Sequence, residues 1–324
     1  MTGKRIALIV ALLALASAPY WLPGSYYINV ASQILFYAVF ALAIDVLLGY
    51  GGLVSLGHAG IFGIACYGVA AALGAGWGHL AAILFGLLLT LASMAVYAAA
   101  SLRATGIGFL MITLALGQIL WGLAYRWISV TNGDNGLNLS SRPAPFGIAL
   151  TGATSFYYAT LIVFLACVLL AAIFVQSPLG AALRGTRDQP RRMNALGFHV
   201  WMIRFWACMF SGLLSGIAGI LFVYYNQFIS PQALALTASA EVVLMVISGG
   251  AGTLLGPIVG AALVVIMKNV ASAYIVRWNF LLGAIFVAIV IFMPEGLVPG
   301  SIRLWRWGTR RLRRAAPKPA EAAR

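Results

Sequence analysis

The segment YATLIVFLACVLLAAIF, Tyr158 to Phe174, offers no polar face, and LAAILFGLLLTL, Leu80 to Leu91, has the same character. A strand of a transmembrane barrel alternates apolar and polar positions over about ten residues. These runs are apolar all round, so they read as helices. Around them, Asp, Glu, Lys and Arg are missing from Ile6 to Ile44, Val46 to Leu102, Pro143 to Leu183 and Phe205 to Ala240. About 20 apolar residues cross a bilayer, so each gap holds one to three spans. The whole chain of 324 residues is 63% hydrophobic and 8% charged, whereas a soluble domain carries about 25% charge. A polar surface cannot be built from it, and the sequence predicts an all-α, polytopic integral membrane protein.

Turn and charge signals divide the chain into about ten candidate helices, roughly 6–22, 30–48, 59–75, 80–100, 106–125, 156–175, 204–224, 237–248, 254–270 and 279–297. The eighth is too short to cross about 30 Å alone and reads as a half-helix. With the N-terminus inside, sixteen of the twenty Lys and Arg residues fall on inner segments and four, Arg126, Arg142, Lys268 and Arg277, on outer ones. The excess of basic residues on inner loops puts both termini and the 177–204 loop in the cytoplasm. Lys4-Arg5, the apolar stretch after them and Ala16-Ser17-Ala18 fit either a retained first helix or a cleavable signal peptide. The remaining topology is the same in both cases.

This gives a transmembrane domain over 1–300, with the 177–204 loop on its inner side, and a basic cytoplasmic tail over 301–324. The net charge of +14 is explained by position, since eight basic residues follow Gly300. Such a flank meets anionic lipid headgroups, and no nucleic-acid partner is expected. Cys66, Cys167 and Cys208 sit inside apolar runs and read as small core residues. No metal site is expected, because three histidines and six acids are scattered over separate segments. The three lysines, Lys4, Lys268 and Lys318, include none in a glycine-rich phosphate loop, so the chain does not bind and hydrolyse ATP itself. Its soluble pieces are too short to fold as an enzyme domain, and no catalytic residues are assigned.

Two patches are dense in glycine: Gly49-Tyr50-Gly51-Gly52-Leu53-Val54-Ser55-Leu56-Gly57-His58-Ala59-Gly60 and Gly249-Gly250-Ala251-Gly252-Thr253-Leu254-Leu255-Gly256-Pro257. With a one-residue gap both read Gly-Gly-x-x-Ser/Thr-Leu-(x)-Gly, the pattern of an internal repeat. Such density lets helices break or backbones touch, and irregular backbone at membrane depth persists only where it is buried in protein or lines a cavity. Tight helix packing is the alternative. The two patches make Gly51, Gly52, Ser55, His58, Gly249 and Gly250 candidates for the wall of a translocation path. Thr113 and Gln118 on the fifth helix join them, with interhelical hydrogen bonding as the other reading. Glu241, entering the short eighth segment, suits either the path or pairing with a basic group. Asp45 reads as an inner-interface charge, and His58 equally as a satisfied structural histidine.

The inner loop is the most specific feature, SPLGAALRGTRDQPRRMNALGF from Ser177 to Phe198. Ser177 before Pro178 suits an N-cap and first helical position. A short helix follows, with Leu179, Ala182 and Leu183 on one side and Arg184 and Arg187 on another. Pro190 stops it, and a second short turn ends at Gly197.

This loop resembles the cytoplasmic coupling loop of ABC importer permeases, in the form SPxGxALRxxRDxPxxxxALG of the branched-chain amino acid (Liv-type) permease family. Four further stretches resemble that family in order: Gly57–Tyr67 its GHAxFxGIGAY, Thr105–Ala115 its GxYFAMxTLA, Thr131–Leu137 its TGGSDGL, and Met293–Leu297 its MPxGL. The long outer loop is closer to the M-type subunit than to its shorter H-type partner. Met193-Asn194 stand where the family more often has an acidic or small residue, and Gly60 replaces a common Ala or Ser. The resemblance implies a non-enzymatic translocation subunit of the bacterial inner membrane, working by alternating access. Its partners would be a second, H-type permease subunit, two ATPase subunits that hold ATP and Mg, and a periplasmic solute-binding protein. Arg184, Arg187, Asp188, Ala195, Leu196 and Gly197 would then couple to an ATPase. Leucine, isoleucine and valine are the implied solutes, while urea, short amides and aromatic acids use similar permeases. A stand-alone secondary carrier with internal repeats is a different reading, which would work without ATPases.

Overall fold

A computed structural model describes residues 13–21, 24–139, 142, 150, 152–274, 278–293 and 295–301. The basic tail beyond 301, the Lys4-Arg5 flank, Arg277 and Pro294 of the closing motif lie outside these residues.

The apolar runs are helices. A helix over 13–21 (α1) precedes α2 (Ser25–Asp45), α3 (His58–Gly74), α4 (His79–Ser101), α5 (Ile107–Arg126) and the single turn α6 (Ile128–Thr131). Then come α7 (Ala153–Gln176), α8 (Pro178–Asp188), α9 (Pro190–Ala195), α10 (Val200–Asn226), α11 (Leu236–Gly249), α12 (Gly256–Tyr274) and α13 (Trp278–Phe292). Among the described residues, five segments are long and apolar enough to cross a bilayer by themselves: α2 with its extension to Tyr50, α4, α5, α7 and α10. Helices α3, α11 and α12 are apolar but shorter. The 14 residues of α11 rise about 21 Å, short of the hydrocarbon thickness, as its sequence implied.

Burial separates central from peripheral helices. In the most apolar window of α2, 72% of residues are buried, against 28% in α4 and 22% in α5. Helix α2 packs against α7, α10, α11 and α12, and α10 also packs on α3 and α4. Large apolar side chains stay exposed at Leu80, Leu84 and Leu88 of α4 and at Ile162, Leu169 and Ile173 of α7. A stripe at one-turn spacing has no reason to face water and suits lipid. The tight α10 contacts come from Gly212, Gly216 and Gly219, one small residue per turn. A Cβ on Gly212 would lie 2.5 Å from Met94 Cγ, so the helices meet closely through missing side chains. The three cysteines are buried and unbridged, as core residues should be.

At the end of the bundle away from α8, the described residues between α6 and α7 are tied down. Leu137 and Asn138 pair antiparallel with Ile229 and Phe228, and Leu139 N–H donates to Gln227 O at 2.9 Å. Arg142 donates to the carbonyls of Tyr224 and Tyr225 at 3.1 and 2.9 Å and lies 5.0 Å over the Phe156 ring. The last carbonyls of α10 lack helical partners, and a guanidinium satisfies two of them at once.

Candidate functional site

The 177–204 loop folds as two helices set against the bundle. The Ser177 Oγ accepts from Gly180 N–H at 3.2 Å with Pro178 in the first turn, the cap that its sequence predicts. Gly180, Leu183 and Thr186, one helical turn apart, form the buried face of α8. Leu179 and Ala182 are only partly buried, so the contact stripe lies slightly to one side of the expected one. Arg184 and Asp188 point outward. Helix α9 folds back, with Met193 covering Gly185, and ends where Phe198 N–H bonds Met193 O at 3.1 Å and Gly197 adopts φ +86°. This is the left-handed turn that favours glycine at a helix end. Ala195, Leu196 and Gly197 are exposed, and Leu196, Phe198 and Trp201 present apolar surface beside basic side chains.

The link from this loop to the bundle runs through Arg187. Its Nη1 donates to the carbonyl of Gly49, and its aliphatic stem crosses Gly52, where a Cβ would come 2.8 Å from Arg187 Cγ. Helix α2 does not end cleanly at Asp45. It widens into a π-helical stretch over Val46–Tyr50 before the chain turns, a form associated with functional sites. The second glycine patch lies against this stretch. Asp45 is 1% exposed, and its Oδ1 accepts from Gly252 N–H at 2.7 Å. Gly252, at φ +80°, places its backbone against Gly49 on one side and the Arg187 guanidinium on another. The two patches, 200 residues apart in sequence, are therefore in contact at the ends of α2 and α11 nearest α8. Arg204, at the start of α10, adds a 2.9 Å bond to Thr186 O. Beside this junction lies a cavity of about 650 Å³ bordered by Gly51, Gly52, Thr105, Gly106, Arg187 and Arg204.

The other sequence-selected residues fall into two further groups. His58 is fully buried: its Nε2 lies 3.0 Å from Ser211 Oγ and its Nδ1 lies 2.7 Å from Ser55 Oγ. Ser211 donates to Ala43 O at 2.6 Å, so it accepts from Nε2–H. Nδ1 is then the acceptor for the Ser55 hydroxyl, which in turn accepts from Tyr97 OH at 2.8 Å. Thr113 bonds Leu110 O at 2.8 Å and receives Leu56 N–H at 3.4 Å. Ser55, His58 and Thr113 thus form a sealed polar brace between α2, α3, α4, α5 and α10, away from any surface of this subunit. Gly51, Gly249 and Gly250 are buried, Gln118 is half-buried and Gly52 is exposed. Glu241, by contrast, pairs with Lys268 at 3.0 and 3.1 Å, beside a cavity of about 530 Å³ toward the opposite end of α11 from the glycine junction.

The sequence points to Arg187 but not to its acceptor, and Asp45, which reads there as an inner-interface charge, is a buried carboxylate held by the second glycine patch. The available signal was Asp45 itself, the one acid in a charge-free stretch from Ile6 to Leu102, since a buried carboxylate must find donors. The partner of Glu241 was legible only as a basic group somewhere.

Residues 26–290 match the family described as branched-chain amino acid transport system / permease component. The high-affinity branched-chain amino acid transport system permease protein LivM of Salmonella typhimurium is 26% identical, over 92% of this chain and 76% of its own length. The Escherichia coli LivM gives the same figures. The autoinducer 2 import system permease protein LsrC of Yersinia pseudotuberculosis is 30% identical, over 72% of this chain and 67% of its own. A solved ABC transporter in an inward-facing conformation is 16% identical, covers 90% of this chain and 97% of its own, and superposes with a TM-score of 0.49. Permease subunits of this kind are translocation components rather than enzymes, and the chain belongs to the branched-chain amino acid transport system permease component family of ABC importers.

Proposed function

We propose that this chain is the M-type permease subunit of a binding-protein-dependent importer that carries branched-chain amino acids across the bacterial inner membrane. It would span the membrane about ten times with both termini in the cytoplasm, pair with an H-type permease subunit, receive solute from a periplasmic binding protein and dock two ATPase subunits that hold ATP and Mg. The observation that carries this reading is the bond from Arg187 to the Gly49 carbonyl. It joins an exposed helix-turn, α8–α9, to the one place where both glycine patches meet. A partner that moves α8 pulls on the inner ends of α2 and α11 together, and glycine backbone there has no side chains to resist a change of packing. Arg184, Asp188, Ala195, Leu196 and Gly197 form the docking face, and Arg187, itself exposed, is the transmitting residue through its bond to Gly49. Gly51, Gly52, Gly249 and Gly250 then act as the moving inner gate. Ser55, His58 and Thr113 hold the static wall against which it moves, and Gln118 stands beside them on α5.

Branched-chain amino acids are favoured over urea, short amides, aromatic acids or the autoinducer because the similarity to LivM extends over 92% of the chain and that to LsrC over 72%. Reconstitution of the full importer in proteoliposomes tests the assignment. Leucine uptake should require the ATPase subunits and the binding protein. Arg187→Ala should lower uptake at least tenfold while nucleotide hydrolysis by the assembled complex continues. Uptake without ATPases would instead establish a secondary carrier, and normal uptake by Arg187→Ala would remove the proposed linkage.

A further inference from the structure

The Glu241–Lys268 pair occupies a place where charge is costly. Glu241 lies eight residues before the inner end of α11 and Lys268 twelve residues after the start of α12. These offsets place the pair about 12–18 Å along the helices from the glycine junction, inside the apolar span. Ionisable groups at that depth face a bundle interior or an aqueous cavity and mark solute pathways. Here they border the cavity of about 530 Å³, within the range of small-molecule sites. The Lys268 side chain is 37% exposed and that of Glu241 17%, so the pair forms part of the cavity wall instead of being sealed in the core.

The remaining wall combines aromatic rings with the polar side chains of Asn226, Ser230 and Thr237. Tyr37 of α2, Phe222 of α10 and Phe228 line it together with the Gln232 amide. The Phe222 ring is held by edge contacts to Phe36 and Phe62, at centroid distances of 5.8 and 5.2 Å, so the apolar surface is preformed. Resting on the amino-acid reading above, we infer that this cavity is a transit subsite for a zwitterionic α-amino acid with an apolar side chain. Glu241 faces the α-ammonium, Lys268 faces the α-carboxylate, and the aromatic wall receives the side chain. The Glu241 carboxylate has about four lone-pair sites, enough to accept the ammonium while it keeps its lysine. A zwitterion laid antiparallel to an ion pair leaves no net charge in the low-dielectric interior. A solute of single charge leaves one charge uncompensated there, and an uncharged amide gains nothing from either end. The subsite therefore selects for the charge pattern of an amino acid, while exposure of the lysine keeps the hold weak enough for release inward.

Two measurements on the full importer test this. In the wild-type complex, acetic anhydride labelling of Lys268, normalised to Lys318 in the same chain, should fall at least threefold with leucine. Isoamylamine and 4-methylpentanoate, each with one charge, should not protect. In proteoliposomes, the exchange E241K/K268E keeps an ion pair but swaps its ends relative to the aromatic wall, and the neutral pair E241Q/K268M removes both charges. Each should lower leucine uptake at least tenfold with hydrolysis retained. Equal protection by the singly charged analogues, absence of protection by leucine, or wild-type uptake in the exchanged pair would overturn the subsite. If a variant fails to assemble, the labelling of the wild type decides. Wild-type leucine uptake in the same vesicles reads the proposed function separately, since a complex that carries no leucine fails there before any variant is compared.

Discussion

Replacing Gly49 by alanine is a one-methyl change that the glycine junction should not accommodate. An added Cβ would collide with Asp45 Oδ1 and Gly252 N, and would lie 2.6 Å from Gly252 Cα, where ordinary contacts begin near 3.4 Å. Two of the three atoms are backbone, so no rotamer change relieves the clash. The second patch must recede by roughly 1 Å, which takes the Asp45–Gly252 bond, now 2.7 Å, outside hydrogen-bonding range. Overpacking costs about 1–3 kcal/mol, and losing a hydrogen bond to a buried carboxylate costs about 1.5–3 kcal/mol. Together the loss is about 2.5–6 kcal/mol, at its upper end comparable with the whole stability of many domains. The control is Gly74→Ala at the end of α3, where a Cβ meets nothing within 4 Å; this change should be neutral or stabilising by about 0.5–1 kcal/mol. Thermal unfolding of the purified complex and ATP-driven leucine uptake read both effects. A Gly49→Ala complex that melts with the wild type and transports at its rate would refute the claim that the two patches are held in contact.

Leu183, fully buried on α8, should cost about 2–5 kcal/mol as Leu183→Ala, seen as a lower melting temperature and weaker retention of the ATPase subunits on affinity purification. Gly197 has open space around it but φ +86°, so Gly197→Ala should cost about 1–2 kcal/mol through backbone strain alone, while Gly197→Asn retains most ATP-driven uptake. His58→Ala strands the Ser55 and Ser211 hydroxyls at about 1–3 kcal/mol. Its melting temperature should fall, while the ratio of leucine to isoleucine uptake stays unchanged, because the ring is sealed between serines.

Much of the fold is legible in the sequence because helices in a membrane are specified locally. An apolar run must satisfy its own backbone, so Tyr158–Phe174 can only be helical, and Ser177-Pro178 announces the start of α8 through a cap two residues long. The short α11 and the burial of Cys66, Cys167 and Cys208 follow from the same local rules. Other features escape them. The π-helical stretch at Val46–Tyr50 occupies residues with no local signal for it, and it is where Gly49 meets Gly252. The pairing of Leu137 and Asn138 with Ile229 and Phe228 joins two segments with no strand pattern of their own.

The candidate site divides in the same way. Composition and charge placement alone determined that this is a helical membrane protein, which loop carries the arginines and where the glycines cluster, since each of these depends on a few consecutive residues. Tertiary structure alone decided that Arg187 reaches Gly49, that Asp45 holds Gly252, that His58 is enclosed between serines and that Glu241 takes Lys268. Every one of those pairs is separated by many residues, except His58 and Ser55, and each was selected because a buried polar group is costly until the folded bundle brings it a partner. A linear sequence shows which groups need partners; the packing of the helices chooses them.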